Sequence, residues 1–249
     1  MEHATEAGKR RSTIPAPTLN PSKERIQQDA RAVYDTVAGG GVAILHYDVS
    51  YAIMSASEDA LRRVYAAKGR SFERASGVVG SFAIHDAVHE LPQEKRNMVR
   101  AVTVDNGLPL SVIAPYRQGH PFMAKLSPFL RDMATRDGTV NFLLNAGELR
   151  DRVADICWQE QQPFIASSAN ASLKGTKYRA EDIEPEVLAA ADIVINYGPS
   201  RHMQTKSLSS TQIDFRTMKV VRFGILFEEI AAVLKRDFGV ELPPNPYKN

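Results

Sequence analysis

The sequence predicts a single α/β (α+β) domain in which helices cover a twisted mixed sheet. The chain has 249 residues, enough for one large domain, and 43% of them are apolar, a normal share for a protein that buries a core. Segments with the apolar periods of strands and of helices interleave irregularly, which favours a mixed sheet over regular strand–helix–strand units. We divide the chain into a flexible N-terminal arm over residues 1–21, a domain over 22–240 and a C-terminal tail over 241–249.

Helices are predicted from capping residues and from apolar residues at helical spacing. Ser22 precedes the first helix, which stops at the three glycines of positions 39–41. Ser57 caps a second helix, which ends at Lys68-Gly69-Arg70. The other predicted helices occupy residues 93–102, 125–134, 149–159, 185–190 and 226–238.

Strands are predicted where short runs rich in aliphatic, β-branched or aromatic residues lie between turn-forming residues. These runs occupy residues 42–47, 51–54, 78–83, 110–114, 140–144, 164–166, 193–196, 211–215 and 219–222. Their number and their separation by helices predict one large sheet.

The amino-acid composition limits which binding partners and which cellular compartment the protein can have. Lys and Arg exceed Asp and Glu by only two, 31 against 29, so any basic site must be local. Cys157 is the single cysteine, which excludes an internal disulfide and fits a reducing cytosol. No apolar run approaches the roughly 20 residues of a spanning helix, and no apolar stretch follows the basic residues at 9–11. We therefore expect a soluble, cytoplasmic protein with no membrane partner.

Two cations, Lys68 and Arg70, end the second predicted helix. A lysine ammonium is a compact charge and an arginine guanidinium is a planar fork, so the pair suits a polyphosphate or a carboxylate. Cations and glycine are also common at ordinary helix ends, so the motif taken alone fits a plain helix terminus as well.

Small polar residues occur at two other strand ends. Ser168 and Asn170 follow a predicted strand, where ligands of α/β sheets often bind, although Ser and Asn also form plain turns. Ser210 and Thr211 offer hydroxyls, and Arg222 offers a guanidinium, that can bind phosphate or ribose. An exposed arginine at a strand end is the alternative interpretation.

In their order and spacing, these motifs resemble the YrdC-like family of carbamoyl-adenylate-forming proteins, which includes the threonylcarbamoyl-AMP synthases. The resemblance extends from about Arg25 to Ile225 and rests mainly on the Lys-x-Arg and Ser-x-Asn elements. Further matches lie at residues 39–42, 109–115, 198–199, 210–214 and 222–224. The resemblance implies a concave α/β fold with a basic cleft.

The resemblance also implies a reaction. Synthases of this family combine bicarbonate, threonine and ATP into threonylcarbamoyl-adenylate for modification of a tRNA adenosine, and release pyrophosphate. Lys68 and Arg70 would be the catalytic residues that grip phosphate and bicarbonate. The implied nucleotide-binding residues are Lys68, Arg70, Ser111, Ser168, Asn170, Ser210, Thr211 and Arg222. ATP would be a substrate, with Mg²⁺ on its pyrophosphate side and no metal ligand from a protein side chain.

The acceptor end of the implied site departs from the family pattern. Tyr47 and Val49 stand where the family has threonines that hold the amino acid, and Leu143 stands where an arginine would pair with its carboxylate. An unpaired buried carboxylate costs about 3–5 kcal/mol. The acceptor-pocket candidates are His46, Tyr47, Asp48, Val49, Tyr51 and Leu143, and the candidates for the missing cation are Arg117, Arg201 and His46.

The sequence therefore predicts a divergent YrdC-like nucleotidyltransferase that forms a carbamoyl- or acyl-adenylate with an acceptor other than threonine. Its partners would be a nucleotide and bicarbonate or a carbamate-like small molecule, with tRNA or double-stranded RNA as a further candidate. The alternative is a non-catalytic YrdC-like module that binds a nucleotide or RNA without turnover.

Three further groups have both a chemical and a plain interpretation. His85 and His89 have the one-turn spacing of zinc ligands, which a solvated polar helix face also has. Cys157 lies on an apolar helix without a flanking cation, so we expect a core residue and not a nucleophile. His202 lies in a predicted loop near the cleft, either as a proton shuttle or as an ordinary loop residue.

Overall fold

The structure, a computed structural model, describes residues 13–247; positions 1–12 of the predicted arm and 248–249 of the tail lie outside the described residues. The helices of the described chain are α1 (Lys23–Ala38), α2 (Glu58–Lys68), α3 (Phe82–Val88), α4 (Gln93–Arg100), α5 (Pro121–Ala124), α6 (Pro128–Ala134), α7 (Glu148–Gln159), α8 (Pro185–Ala189) and α9 (Phe227–Phe238). The strands are β1 (Val42–His46), β2 (Tyr51–Ser55), β3 (Gly77–Val79), β4 (Leu110–Pro115), β5 (Thr135–Arg136), β6 (Thr139–Leu144), β7 (Ile165–Ser168), β8 (Ile193–Ile195), β9 (Gln212–Asp214) and β10 (Lys219–Arg222).

The strands join in one mixed sheet. Their order is β10-β9-β4-β6-β3-β7-β2-β1-β8, and β5 pairs with β6. The pairs β1–β8, β3–β6 and β4–β9 are parallel, and the other pairs are antiparallel. The predicted α/β fold, a single mixed sheet with covering helices, is confirmed.

Alternate residues of β1 point into two apolar clusters, as the two-residue period of a strand requires. Ala43 and Leu45 belong to the larger cluster, which α1 and α7 cover. Val42 and Ile44 belong to the smaller cluster, to which α8 contributes. The sheet face on the side of Leu45 is also the face that carries the cavity described below, because Leu45 pairs with Ala52 of β2.

Three sequence-based expectations for elements were wrong in detail. The strand expected over residues 78–83 ends at Val79, because Ser81 caps α3 by accepting a hydrogen bond from the Ile84 amide at 3.3 Å. The helix expected over 125–134 begins only at Pro128, since Ser127 is its N-cap. The helix expected over 93–102 ends at Arg100 and continues as a π-helical turn, Ala101–Asp105.

The described part of the predicted arm is attached to the domain. The Thr18 amide donates to the Asn196 carbonyl at 2.9 Å, and the Asn196 side chain donates to the Pro15 carbonyl at 3.0 Å. Ile14 packs against the smaller cluster, away from the cavity. Among residues 13–247, no helix has the length and apolar character needed to cross a lipid bilayer.

Candidate functional site

The floor of the site is one strip of the sheet, beneath a cavity of about 370 Å³. Residues paired across neighbouring strands point to the same face. The strand register pairs Gln212 with Ser111, Ser111 with Leu143, Leu143 with Val79, Gly77 with Ala166, and Ser168 with Ala52. All of these residues line the cavity, so the floor runs across β9, β4, β6, β3, β7 and β2.

Arginines give the cavity its charge. Arg70, Arg74, Arg150 and Arg222 line it, and they come from three separate parts of the fold: the loop between α2 and β3, helix α7 and strand β10. No Asp, Glu or His of the described chain lines it. Of the four arginines only Arg150 is paired with a carboxylate in the described structure, that of Asp151, which lies outside the cavity lining. The cavity therefore presents uncompensated positive charge and several guanidinium donors, which is an environment for anions.

Arg70 enters the cavity from the end of α2. Gly69 ends the helix in the left-handed conformation, with φ of 55°, and this turn directs Arg70 towards the start of β3. The Arg70 Nη2 donates to the Ala75 carbonyl at 2.7 Å, and the guanidinium lies 5.5 Å from the Tyr65 ring centroid. Its buried Nε–H has no acceptor within the described chain. These contacts hold the Arg70 guanidinium in position at the cavity wall.

Arg222 and two serines form a second polar group at the other edge of the floor. The Arg222 guanidinium donates to the Ser210 carbonyl at 2.8 Å and to its Oγ at 2.9 Å. The hydroxyls of Ser210 and Ser111 lie 3.0 Å apart. Burial lowers the pKa of Arg222. These bonds fix the direction of the guanidinium and of both hydroxyls.

Thr211, predicted to bind nucleotide, instead holds the backbone next to Ser210. It is fully buried, donates to the Ile225 carbonyl at 2.9 Å and accepts from the Gly224 amide at 3.2 Å. A side chain at Gly224 would overlap the backbone of residues 209–211. Thr211 does not line the cavity, and its contacts place Ser210 there.

Lys68 lies behind the cavity wall. Its side chain is 2% exposed, and its Nζ donates to the carbonyls of Ser168 and Asn170, the latter at 2.7 Å. Burial, with a smaller contribution from the Arg70 guanidinium, lowers the pKa of Lys68 to about 7. Lys68 does not line the cavity, so its observed contacts anchor the segment that follows β7.

Asn170 lines a second cavity, of about 550 Å³, next to the first. The two cavities share Ser168, Ser209 and Arg222. The Asn170 Nδ2 donates to the Ala171 carbonyl at 2.6 Å, and its buried Oδ1 has no partner in the described structure. The predicted Ser-x-Asn element therefore lies at the boundary between two adjoining cavities.

Four of the acceptor-pocket candidates lie away from the arginine-lined cavity of about 370 Å³, which we call the main cavity. Tyr51 points to the opposite sheet face, where its hydroxyl donates to the Asn196 Oδ1 at 2.7 Å. His46 contacts the Tyr51 ring edge-on, and Val49 is buried in the larger apolar cluster. Asp48 lines a third cavity, of about 640 Å³. The expectation that these side chains share a pocket with Tyr47 does not match their positions, because Tyr51 faces the opposite side of the sheet and Asp48 and Val49 lie in the turn between β1 and β2.

Tyr47 and Leu143 do line the main cavity, and Arg150 joins them there. Arg150 is 1% exposed; its Nη2 donates to the carbonyls of Gly80 and Leu143, and its Nη1 donates to Asp151 at 2.6 Å. The Tyr47 hydroxyl lies beside this guanidinium, and burial raises the pKa of Tyr47 to about 12. A buried cation thus stands next to Leu143, at the position where the sequence indicates that a cation is missing.

Sequence reasoning missed Arg74 and Arg150. Arg74 has no motif beyond its place four residues after Arg70. Arg150 belongs to a helix whose neighbouring charges, Asp151 and Arg152, are typical of a solvated face. The cation candidates named from sequence, Arg117 and Arg201, line no part of the main cavity. Arg150 is buried because its guanidinium meets the Gly80 and Leu143 carbonyls, a contact between distant parts of the chain that the local pattern does not show.

The described residues contain no cluster of three or more His, Cys, Asp or Glu side chains able to hold a metal ion. The cavity also lacks the carboxylates that Mg²⁺ prefers. A Mg²⁺ ion in the main cavity would have to take its ligands from a bound phosphate chain and from water. We therefore assign the ion no step of the reaction proposed below.

The other candidates lie outside the main cavity. His85 and His89 are both fully buried, 2.7 Å apart through their Nδ1 atoms, so the expected solvated polar face was wrong. Cys157 is buried in the larger cluster, as expected, and burial raises the pKa of its thiol. His202 lines the third cavity with Asp48.

No family model and no curated protein sequence matches the chain. Solved structures do. The structure of P. abyssi Sua5 complexed with L-threonine aligns with a TM-score of 0.68 at 19% identity, over 89% of this chain and 61% of that one. The chain has the Sua5 fold. The YrdC-like fold implied by the sequence motifs is thereby confirmed.

Two further structures share the Sua5 fold with this chain. A hypothetical protein from Streptococcus mutans UA159 aligns with a TM-score of 0.69 at 21% identity, over 92% of this chain and 95% of that one. E. coli YciO aligns with a TM-score of 0.58 at 17% identity, over 83% of this chain and 92% of that one. This chain spans about three fifths of the length of the P. abyssi Sua5 chain.

Proposed function

We propose that the chain binds ATP in the arginine-lined cavity and transfers the adenylyl group to a small carbamate or carboxylate, with release of pyrophosphate. The observation that carries this proposal is the set of four arginines on one cavity that no carboxylate of the described chain enters. The fold of Sua5, which has been solved with L-threonine, supports a small-molecule acceptor.

The phosphate chain would bind between Arg70 and Arg74 on one side of the cavity and Arg222 on the other. None of these three guanidinium groups has a carboxylate partner in the described structure, so each can pair with phosphate oxygens without breaking an existing ion pair. The Ser210 and Ser111 hydroxyls add donors at the Arg222 side. Lys68 would act on the site indirectly, by holding the carbonyls of the segment after β7.

The chemistry requires no general base. A carboxylate or carbamate oxygen is already an anion, and it attacks the α-phosphorus as a new P–O bond forms. The bond from the α-phosphorus to the bridging oxygen breaks, and its electron pair leaves with pyrophosphate. The charge that develops on the phosphoryl and leaving-group oxygens is what fixed guanidinium groups stabilise. A cavity of cations and neutral polar groups is sufficient for this step.

The acceptor would be a carbamate, formed from bicarbonate and a neutral amine as the new C–N bond replaces a C–O bond and water leaves, or it would be a carboxylate itself. We propose that it is not threonine, since Tyr47 and Leu143 replace the groups that the family uses for that amino acid. An adenylate made here would be passed on to a nucleophile, with tRNA as the candidate recipient.

Pyrophosphate release tests this proposal. The full chain is incubated with ATP, Mg²⁺ and bicarbonate, and with each amino acid or small carboxylate in turn. We expect pyrophosphate that depends on one acceptor and that is lost in Arg222→Gln. ATP binding with no pyrophosphate from any acceptor would instead identify the non-catalytic nucleotide-binding module, which the same cavity would also serve. An absence of ATP binding would reject both.

A further inference from the structure

Two of the four arginines of the main cavity, Arg70 and Arg74, lie on the loop of residues 70–76 between α2 and β3. The other two lie on α7 and β10, whose regular backbone hydrogen bonds hold them. In the described structure a single backbone hydrogen bond joins two residues of the loop, from the Arg74 amide to the Ser71 carbonyl at 3.2 Å. The loop therefore needs contacts from outside to fix its two guanidinium groups.

The Tyr65 hydroxyl holds the second half of this loop. Tyr65 lies on α2, is 1% exposed and does not line the main cavity. Its hydroxyl donates to the Arg74 carbonyl at 2.9 Å and lies 2.9 Å from the Ser76 Oγ. Because a tyrosine hydroxyl has one proton, the Ser76 hydroxyl donates to the Tyr65 oxygen. One buried oxygen atom thus ties two residues of the loop to α2.

The Tyr65 ring holds the first half of the loop. The Arg70 guanidinium lies 5.5 Å from the ring centroid, and the Phe72 ring stacks on Tyr65 with centroids 5.0 Å apart and an interplanar angle of 9°. The Arg62 guanidinium also lies 5.5 Å from the Phe72 centroid. Arg62 is half exposed, however, and a cation–aromatic contact in water is weak.

We infer that Tyr65 is a positioning residue of the nucleotide site, which fixes the Arg70 and Arg74 guanidinium groups for the phosphate chain. This inference rests on the proposed function. Tyr65 itself would not touch the nucleotide, because it lies outside the cavity lining. Its effect is on entropy: a loop that is already held loses less conformational freedom when its arginines bind phosphate, so the nucleotide binds more tightly.

A double-mutant cycle tests whether Tyr65 acts through Arg74. ATP is titrated by calorimetry into the original full chain, Tyr65→Phe, Arg74→Gln and the double variant. Tyr65→Phe keeps the ring and removes the hydroxyl, so we expect ATP to bind about tenfold more weakly than to the original chain. In the Arg74→Gln background the same change should weaken binding by at most about threefold, because the guanidinium that the hydroxyl positions is gone. An equal factor in both backgrounds overturns the inference.

Tyr197→Phe is the matched control. The Tyr197 hydroxyl donates to the Asp29 carboxylate at 2.8 Å, and Tyr197 lies outside the main cavity. This variant also loses a partly buried hydroxyl bond, and thermal melts record the loss of stability in both variants. Its ATP affinity should nevertheless be unchanged. If Tyr65→Phe and Tyr197→Phe weaken ATP binding equally, Tyr65 has only a general structural role and the inference is overturned.

Phe72 gives a second readout at a side chain that is 42% exposed, where a substitution is compatible with folding. Phe72→Ala should weaken ATP binding about threefold or more, and Phe72→Tyr, which keeps the stacked ring, should bind as the original chain does. Unchanged affinity in Phe72→Ala overturns the role of the ring, and unchanged affinity in Tyr65→Phe as well overturns the whole inference while nucleotide binding stands. If ATP does not bind to the original chain, the proposed function fails too.

Discussion

The buried pair His85 and His89 makes the stability of the fold sensitive to acid. His89 Nε2 lies 3.3 Å from the Val140 carbonyl and must donate to it, so the neutral ring accepts at Nδ1. His85 Nδ1 then donates to His89 Nδ1 at 2.7 Å, and the buried His85 Nε2 has no donor in the described structure. Protonation of His89 would place two N–H groups face to face.

Burial lowers the pKa of His85 to about 4 and lowers the pKa of His89 well below its usual value, the latter also because of the neighbouring His85. In the unfolded chain both rings titrate near pH 6.5. The unfolded state therefore binds more protons below that pH, and stability is complete above it and falls as the pH falls towards 4. Between pH 7 and pH 5 each ring costs about 2 kcal/mol, so the pair costs about 4 kcal/mol.

Urea unfolding at pH 7, 6 and 5 measures this loss as a change in the free energy of unfolding. In His85→Asn the decrease from pH 7 to pH 5 should be smaller by about 2 kcal/mol, because one titrating group is gone. His120→Gln, a change at a partly exposed ring, should alter the decrease by much less. An equal decrease in the original chain and in His85→Asn would refute the pairing argument.

Three further changes test the supports of the cavity. Lys68→Met should weaken ATP binding about tenfold in calorimetry although Lys68 lies behind the wall, because the carbonyls of Ser168, at the end of β7, and Asn170, just after it, lose their donor; an unchanged affinity would show that Lys68 does not support the site. Gly224→Ala should lower the free energy of unfolding by about 1–3 kcal/mol in urea titrations, because the new methyl group would overlap the backbone of residues 209–211. An unchanged free energy of unfolding would show that this backbone can move away from the methyl group without cost. Ser210→Ala should cost about 1 kcal/mol of ATP affinity, because the Arg222 Nη2 and the Ser111 hydroxyl lose a partner, and full affinity would show that neither bond orients the site.

Most of the elements are readable from the sequence because their signals are local. The Ser57 cap, the apolar face of α2 and Gly69 all lie within one short segment, and the observed helix follows them. Predictions failed where a cap competes with an apolar run: Ser81 starts α3 inside a stretch that otherwise has strand character. Periodicity alone does not show which of the two signals prevails.

The site was readable only in part, for a physical reason. Ser111, Ser168 and Arg222 meet because the sheet order places β4, β7 and β10 around one floor, and the resemblance supplies that order indirectly. Lys68 looked like a phosphate ligand, but whether its ammonium points into the cavity or to backbone depends on the turn after β7. Arg150 carried no signal, since its burial depends on where α7 lies against the Gly80 and Leu143 carbonyls.

The central claim is that the cavity with Arg70 at its end is an ATP site. Calorimetric titration of ATP into the original chain, Arg70→Gln and Arg62→Gln tests it most directly. Arg62 is the matched control: it lies on α2, half exposed and paired with Glu58, outside the cavity. We expect the ATP dissociation constant to rise roughly 30-fold or more in Arg70→Gln, as for the loss of a charged hydrogen bond of about 2–3 kcal/mol, and to stay unchanged in Arg62→Gln. Equal affinity in all three proteins would contradict the claim.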